Sequence, residues 1–429
     1  MPKSRKAPRP TTNSSLGESP EPQAQPEGGL LAWTAIFAGW LLFAISWGPS
    51  LGYGVFQEFY QTTYLPNFSS SSIAWIGAIQ AFFLLASGSL LGPLFDRGYF
   101  VPIMIAGCFL LVLGQMMLSL ATQFYQIFLA QGVCIGIGSG VVYVPCTSMV
   151  ANLFSKHRAK AMSMMLTGVS TGGVIYPVIF RSLQPRVGFP WTVRIMGFIS
   201  LAISFIALPI FWRLPKKISK PRALFEGHAF KEPAFMCFSV SGFFNFLAYW
   251  IPLFYVPTFA QAATGASTDL SYYMISVVNA GQFLGRLLPA FIIPRTGAMQ
   301  LAVPVNFAAA AVIFGWIGVH STTGFIVWSV LYGVATGLLT GSNPTAAAHP
   351  TLTTIDVYGT RWGIATMIAA LGTLVGTPIA GALADPATNS FLSAQAFAGA
   401  MMIVGALLYV WPLIAALKHD RAKVGVRDD

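Results

Sequence analysis

The sequence predicts an all-α membrane protein of about 12 transmembrane helices in two six-helix halves. Three observations carry this. Only 9% of the 429 residues are charged and 55% are hydrophobic. A water-soluble domain is about 25% charged, so lipid must be the solvent for most of the chain. Apolar segments of about 20 residues, the length that crosses a bilayer, recur twelve times between polar or Gly/Pro-rich breaks. Finally, if the chain crosses at each segment, 20 of the 24 Lys and Arg fall on one side and three on the other, the bias that marks cytoplasmic loops.

Residues 1–28 are rich in Pro, Ser, Thr and Gln and carry Lys3, Arg5, Lys6 and Arg9. They are expected to form a disordered cytoplasmic tail and not a cleaved signal. The first half, 29–212, holds segments near Gly29–Phe56, Ile73–Phe95, Val101–Ala121, Tyr125–Leu153, Ala161–Phe180 and Trp191–Trp212. Residues 213–232 read as a basic cytoplasmic linker. The second half, 233–417, holds Ala234–Ala260, Tyr272–Ile293, Leu301–Val319, Phe325–Ala347, Gly363–Leu383 and Phe391–Leu417, and 418–429 is a second cytoplasmic tail. Both termini are therefore expected in the cytoplasm, with the plasma membrane as the location. Asn67-Phe68-Ser69 is a glycosylation sequon in the first outer loop.

The net charge of +11 is accounted for by topology and does not call for nucleic acid, although the linker can touch anionic lipid heads. Cys108, Cys134, Cys146 and Cys237 stand in apolar stretches without CxxC or Cys/His spacing, so neither a disulfide framework nor a metal site is expected. No Walker loop, HExxH or nucleophile elbow is present. Catalysis and a cofactor are not expected.

Small-residue spacing repeats between the halves. Gly88 and Gly92 in the second segment match Gly281 and Gly285 in the eighth; Gly168 and Gly172 in the fifth match Gly372 and Gly376 in the eleventh. Glycines four apart let helix backbones approach closely, so one six-helix unit is used twice. Parallel halves of this kind place a substrate site between them near mid-membrane.

The segment Gly92-Pro93-Leu94-Phe95-Asp96-Arg97-Gly98 resembles the inner-loop signature of the major facilitator superfamily. Pro26-Glu27-Gly28-Gly29 with Trp33, Gly54-Val55-Phe56-Gln57, Ser72 to Gly77, and Phe154 to Ala161 resemble the monocarboxylate-transporter-like family, especially its fungal branch. Asn279-Ala280-Gly281 with Gly285-Arg286 and Pro289, and Gly359-Thr360-Arg361, add to the likeness. The resemblance implies the major facilitator fold and transport of a small organic anion by alternating access. Proton-coupled members carry an acidic residue one turn before the eighth-segment arginine and a lysine deep in the first. Here Gln282 takes the former place and the latter falls among Ser50, Leu51 and Gly52, which tells against proton-lactate symport.

Arg286 is the one cation inside a span. An intramembrane guanidinium is kept for a partner or a substrate, and its fork suits a carboxylate; the competing reading is a helix lock on backbone carbonyls. Gln282 and Asn279 lie one and two turns earlier on the same face. Asn245, Tyr249 and Trp250 in the seventh span, Tyr53 in the first, Tyr143 in the fourth and Asn343 in the tenth are further candidates for substrate contact, or for interhelical hydrogen bonding. Asp96, Arg97, Arg158 and Arg361 at the inner ends are assigned to conformational control, with positive-inside anchoring as the plain alternative for the last two. Glu58 and His349 are expected to be solvated or interfacial.

The solute is expected to be a small organic acid or metabolite in a lipid bilayer; the sequence identifies no protein partner. Uptake of a monocarboxylate and export of an acidic or polyketide-like fungal metabolite fit almost equally. A competing function of another class is a nutrient sensor that binds without transporting.

Overall fold

The computed structural model describes residues 29–154, 157–214, 224, 226–354, 357–384 and 390–425. The tail 1–28, the linker stretch 215–223, Lys156 and residues 426–429 lie outside the described residues.

Among the described residues, eleven helices are long and apolar enough to cross a membrane. They are α1 (Leu30–Tyr64), α2 (Ser70–Leu90), α3 (Phe100–Leu118), α4 (Phe124–Val150), α7 (Pro233–Thr264), α8 (Thr268–Thr296), α9 (Ala298–Gly318), α10 (Thr322–Ala347), α11 (Tyr358–Leu383), α12 (Leu392–Ala422), and one stretch, Arg158–Trp212, that contains two crossings. Gly188 alone in that stretch leaves helical geometry, at φ 77° and ψ 167°, a conformation open to glycine because it lacks Cβ. It divides the stretch into α5 (158–187) and α6 (189–212). The two limbs run back on each other: Tyr176 Oη and Ser200 Oγ are hydrogen-bonded at 3.1 Å, whereas a straight helix would hold residues so spaced about 36 Å apart. Twelve crossings result, and α1 begins on the face where α12 ends. This is the terminal face; the opposite one is the far face.

Several elements outrun the hydropathy boundaries. α1 continues past Phe56 to Tyr64 because Gln57, Glu58, Phe59 and Tyr60 are all buried in protein, so polarity there does not mark exit to water. α8 breaks near Leu288, where Pro289 supplies no backbone N–H to the preceding turn. The helix of α12 extends to Gly425 into the stretch expected as a tail, and Asp420 within it approaches His349 Nε2 at 3.5 Å.

Seven of the eight paired glycines press on a neighbouring helix as their spacing predicts; Gly92 instead opens the short helix Gly92–Asp96 beyond the end of α2. A Cβ on Gly168 or Gly172 would press on the Trp40 or Ala44 carbonyl of α1, and on Gly372 or Gly376 on the Phe243 or Leu247 carbonyl of α7. Gly88 of α2 meets Gly140 and Val144 of α4, while Gly281 and Gly285 of α8 meet Val330 and Val334 of α10. The same helix pairs are pressed together six helices apart. Across the two groups of six, α2 packs on α11 and α5 on α8. Ser71 Oγ donates to the Pro378 carbonyl at 2.9 Å, Ser89 and Thr366 hydroxyls meet at 3.0 Å, and Ser276 Oγ donates to the Val174 carbonyl at 3.0 Å.

The two ends differ. Every residue of α1 from Leu42 to Tyr60, and of α7 from Leu247 to Ala260, is buried. Nearer the terminal face α7 is half-buried at Gly242, Phe243, Phe244 and Phe246. The bundle is closed around α1 and α7 at the far face and looser at the terminal face.

Candidate functional site

A central cavity of about 830 Å³, including the part open to solvent, lies between the first six helices and the last six. Its walls come from α1 (Trp47), α4 (Tyr143), α5 (Leu166, Val169), α7 (Phe238 to Tyr249), α8 (Arg286), α10 (Thr340, Asn343, Pro344), α11 (Trp362 to Ala369) and α12 (Tyr409). Most of these positions are in the terminal-face portions of their helices, so the cavity faces that side.

Arg286 is the cationic group in the wall and is 3% exposed. It occupies the last turn of the segment Thr268–Leu287, where the carbonyl ends of a helix favour a cation. One Nη donates to Ser170 Oγ on α5, and the Tyr249 and Tyr143 rings lie beside it. Among the described residues no carboxylate pairs with it. The guanidinium therefore keeps donors for an anion in the cavity.

Around this cation the surface is aromatic. Trp47 meets Tyr143 edge-on at 5.1 Å and stacks on Trp250 of α7 at 6.5 Å with an interplanar angle of 11°. Asn245 Nδ2 donates to Ser241 Oγ at 3.2 Å. Among the described residues the Asn245 and Asn343 Oδ1 atoms and Trp47 Nε1 are buried without a hydrogen-bond partner. A buried polar atom left unpaired costs about 1–3 kcal/mol; Asn245 Oδ1 lies against Gly405 of α12, whereas Trp47 and Asn343 line the cavity, where a solute's polar groups would pair with them.

The structure thus brings Arg286, Asn245, Tyr249, Tyr143 and Asn343 together around one space. It does not bring Gln282, Asn279 or Tyr53 to the wall. Gln282 is fully buried and donates to Tyr249 Oη at 3.1 Å and Thr336 Oγ1 at 3.3 Å, so it holds Tyr249 from behind. Asn279 donates to the Ile275 carbonyl at 2.9 Å and lies against Gly173 of α5. Tyr53 donates to the Ile73 carbonyl at 2.7 Å and packs on Phe254 at 4.6 Å in the closed far region. Trp47, Trp362, Tyr409 and Thr340 were not legible as wall residues, because aromatic and hydroxyl groups facing a cavity look like those facing lipid or a neighbouring helix.

At the terminal face, Asp96 is buried at the end of the short helix Gly92–Asp96 and Arg97 is exposed beside it, before Gly98 turns the chain at φ 89°. Arg158 opens the α5 helix. Arg361 is clamped: Nε and Nη2 donate to the Glu226 carboxylate at 3.0 and 2.9 Å, and Nη1 and Nη2 to Glu232 at 2.6 Å each. Its guanidinium also lies 5.5 Å from the Phe235 ring centre. Hydrogen bonds from Arg361 hold both carboxyls below the ordinary carboxylate range. This cluster ties the start of α11 to the end of the linker and the start of α7, not to the first six helices.

Asn67 is exposed between α1 and α2 on the far face. Glu58 departs from the expectation of solvation: it is 5% exposed, between α1 and α7. His349 is half-buried, with Nδ1 2.9 Å from Thr351 Oγ1.

Twelve crossings built from a repeated unit, with a cavity between the repeats that is open on one side and sealed on the other, define a secondary membrane transporter. The chain belongs to the major facilitator superfamily, whose family model matches residues 28–353. Its relatives include the aspyridones efflux protein of Emericella nidulans, 39% identical over 91% of this chain and 79% of that protein. The fujikurins efflux protein of Gibberella fujikuroi is 33% identical over 90% of this chain and 83% of its own length. The agnestins efflux protein of Paecilomyces divaricatus is also 33% identical, over 89% and 87%. Among solved structures, a bacterial homologue of the human lysosomal transporter Spinster, inward-facing and unoccupied, shares the fold with a TM-score of 0.59 at 18% identity, covering 91% of this chain and 96% of that one.

Proposed function

We infer that this transporter exports an amphipathic, carboxylate-bearing secondary metabolite. The observation that carries this is the cavity itself: a single guanidinium that has no carboxylate mate among the described residues, set in an aromatic wall. The guanidinium would take the acid group, Asn343 would bond a polar substituent, Asn245 would shape the wall beside α12, and Trp47, Tyr143 and Tyr249 would stack on a conjugated body. Relatives named as efflux proteins for fungal metabolites support the export direction. A small monocarboxylate would leave the aromatic side chains of the wall without a partner, and the relatives' names give that reading no support. The chain's motif likeness to the monocarboxylate-transporter-like branch then reflects shared descent of the scaffold more than a shared solute.

On this reading the units 29–212 and 233–417 rock about the cavity. On the cation bias both termini and the open cavity would face the cytoplasm and Asn67 would be accessible to glycosylation on the other side, with the plasma membrane as the proposed location. Asp96, Arg97, Arg158 and Arg361 would set the balance between access states from the terminal face.

The test is counterflow in liposomes containing the purified protein, with an aromatic polyketide acid, its methyl ester and lactate as solutes. Rapid exchange of the aromatic acid is expected. Saturable binding with no flux would favour a sensor, and lactate exchange with the aromatic acid excluded would restore the monocarboxylate reading.

A further inference from the structure

Glu58 is a buried acid that the cavity does not use. It lies on α1 toward the far face and bridges to α7: Thr258 Oγ1 donates to Oε2, and Gln261 Nε2 donates to Oε1 at 3.3 Å. Gln261 Nε2 also donates to Ser271 Oγ of α8 at 2.9 Å. One carboxylate thus fastens a helix of the first six to two helices of the last six, in the stretch where α1 and α7 are enclosed on every side.

Its surroundings contain little charge. α7 faces it with the uncharged Thr258 and Gln261, and α8 with Ser271 and Tyr272. On α1 and α2 the neighbouring polar groups are Gln57, Gln61 and Ser70. Arg181 of α5 is engaged elsewhere, in an ion pair with Asp269, and sits 5.5 Å from the Tyr272 ring centre. Among the described residues no cation pairs with Glu58.

A buried ionised carboxylate with two neutral donors and no cation is poorly compensated. A neutral carboxyl keeps the same contacts: Oε1 still accepts from Gln261, and a proton on Oε2 is donated to the Thr258 hydroxyl oxygen, which can accept it. When the far face opens, α1 and α7 part and the acid meets water, where the ionised form is well solvated. We propose that Glu58 is a proton-binding site in the far-face gate, taking its proton from the far compartment and retaining it between α1 and α7 when the gate closes. A ligand held better by one state shifts the equilibrium toward that state, so acid in the far compartment favours the far-closed form. The site is separate from the cavity and holds whichever solute Arg286 binds.

The test reads gate position without solute. Full-length protein in nanodiscs carries spin labels on cysteines introduced at Thr63 and Thr268, exposed positions on α1 and α8, with Cys134 and Cys237 replaced by Ser. Distances are measured by electron–electron double resonance from about pH 8 to about pH 5. The long-distance, far-open population is expected to fall several-fold with acid in the unmodified gate and in Glu58→Asp. In Glu58→Gln, neutral at every pH, it should be pH-invariant and already at the acid limit. Thr258→Val removes the hydroxyl that accepts the proton of the neutral acid in the closed gate, so the closed form is weakened and the midpoint should move to lower pH. A response that survives in Glu58→Gln, or an unmodified gate indifferent to pH, overturns the proposal. Should Glu58→Gln not fold, an unmoved midpoint in Thr258→Val overturns it.

Discussion

Replacing Arg286 with Gln tests the cavity's chemistry most directly, because Gln occupies the same stretch of α8 without the charge. A carboxylate about 4 Å from the guanidinium gains about 4 kcal/mol at an effective dielectric of about 20. Binding it displaces the bond to Ser170, a contact worth about 1 kcal/mol net. The remaining 3 kcal/mol or so corresponds to about 150-fold in affinity. The assay is equilibrium binding of an aromatic acid and of its methyl ester to purified wild-type and Arg286→Gln protein, each first shown to elute as a single species. The acid should lose about 150-fold, and the ester, which has no charge to lose, less than about threefold. Equal losses for acid and ester would mean that Arg286 shapes the cavity without recognising charge. No loss for the acid would refute the role outright.

Three further outcomes are expected. Trp47→Ala should weaken aromatic acids by about 2- to 12-fold, the worth of a lost ring contact of about 0.5–1.5 kcal/mol, and leave aliphatic acids of equal charge nearly unchanged in the same binding assay. Gly172→Val and Gly376→Val should each lower the thermal midpoint of the purified protein by similar amounts, since their Cβ atoms meet the Ala44 and Leu247 carbonyls of matching helices and overpacking costs about 1–3 kcal/mol. Gly315→Ala, whose added Cβ meets nothing within 4 Å, is the control and should leave that midpoint in place. Lastly, Glu226 and Glu232 are held below the usual carboxylate range by Arg361. Their contribution is present above the unfolded carboxylate value and lost as pH falls through the depressed folded one. Wild type should therefore outlast Arg361→Met on heating at neutral pH, and the gap should close below about pH 4; a gap unchanged in acid would contradict the clamp.

The fold was legible because a bilayer imposes length and polarity on each crossing, and the glycine repeat was legible because backbone contact tolerates no side chain. The α5–α6 break was legible from the polar and Pro-containing residues 181–190, but not its form: helix runs on through that stretch and the reversal falls at Gly188 alone. Arg286 stood out as the cation within a span, yet helical periodicity misjudged its companions. Asn279 and Gln282 share its face, but Asn279 is seven residues, about 10 Å, farther toward the sealed end. Angle around a helix is written in the sequence; depth relative to a cavity is decided by which other helices close at that level. Glu58 misled for the same reason, since a polar residue near a helix end reads as an exit to water unless a partner such as Thr258 is known to cover it.

The enclosure of α1 and α7 also bears on how such a protein can diversify. Lipid-facing positions such as Phe109, Phe198 and Phe205, all more than half exposed, must stay apolar whatever the protein carries, because the bilayer tests them directly. Residues Leu42–Tyr60 and Leu247–Ala260 answer only to other residues of the same chain. Ser46, Ser50, Gln57, Glu58 and Thr258 are found there, where a polar side chain needs one suitable neighbour and no concession from the membrane. New solute or ion preferences can therefore accumulate on these two central helices, while the outer helices keep the protein inserted.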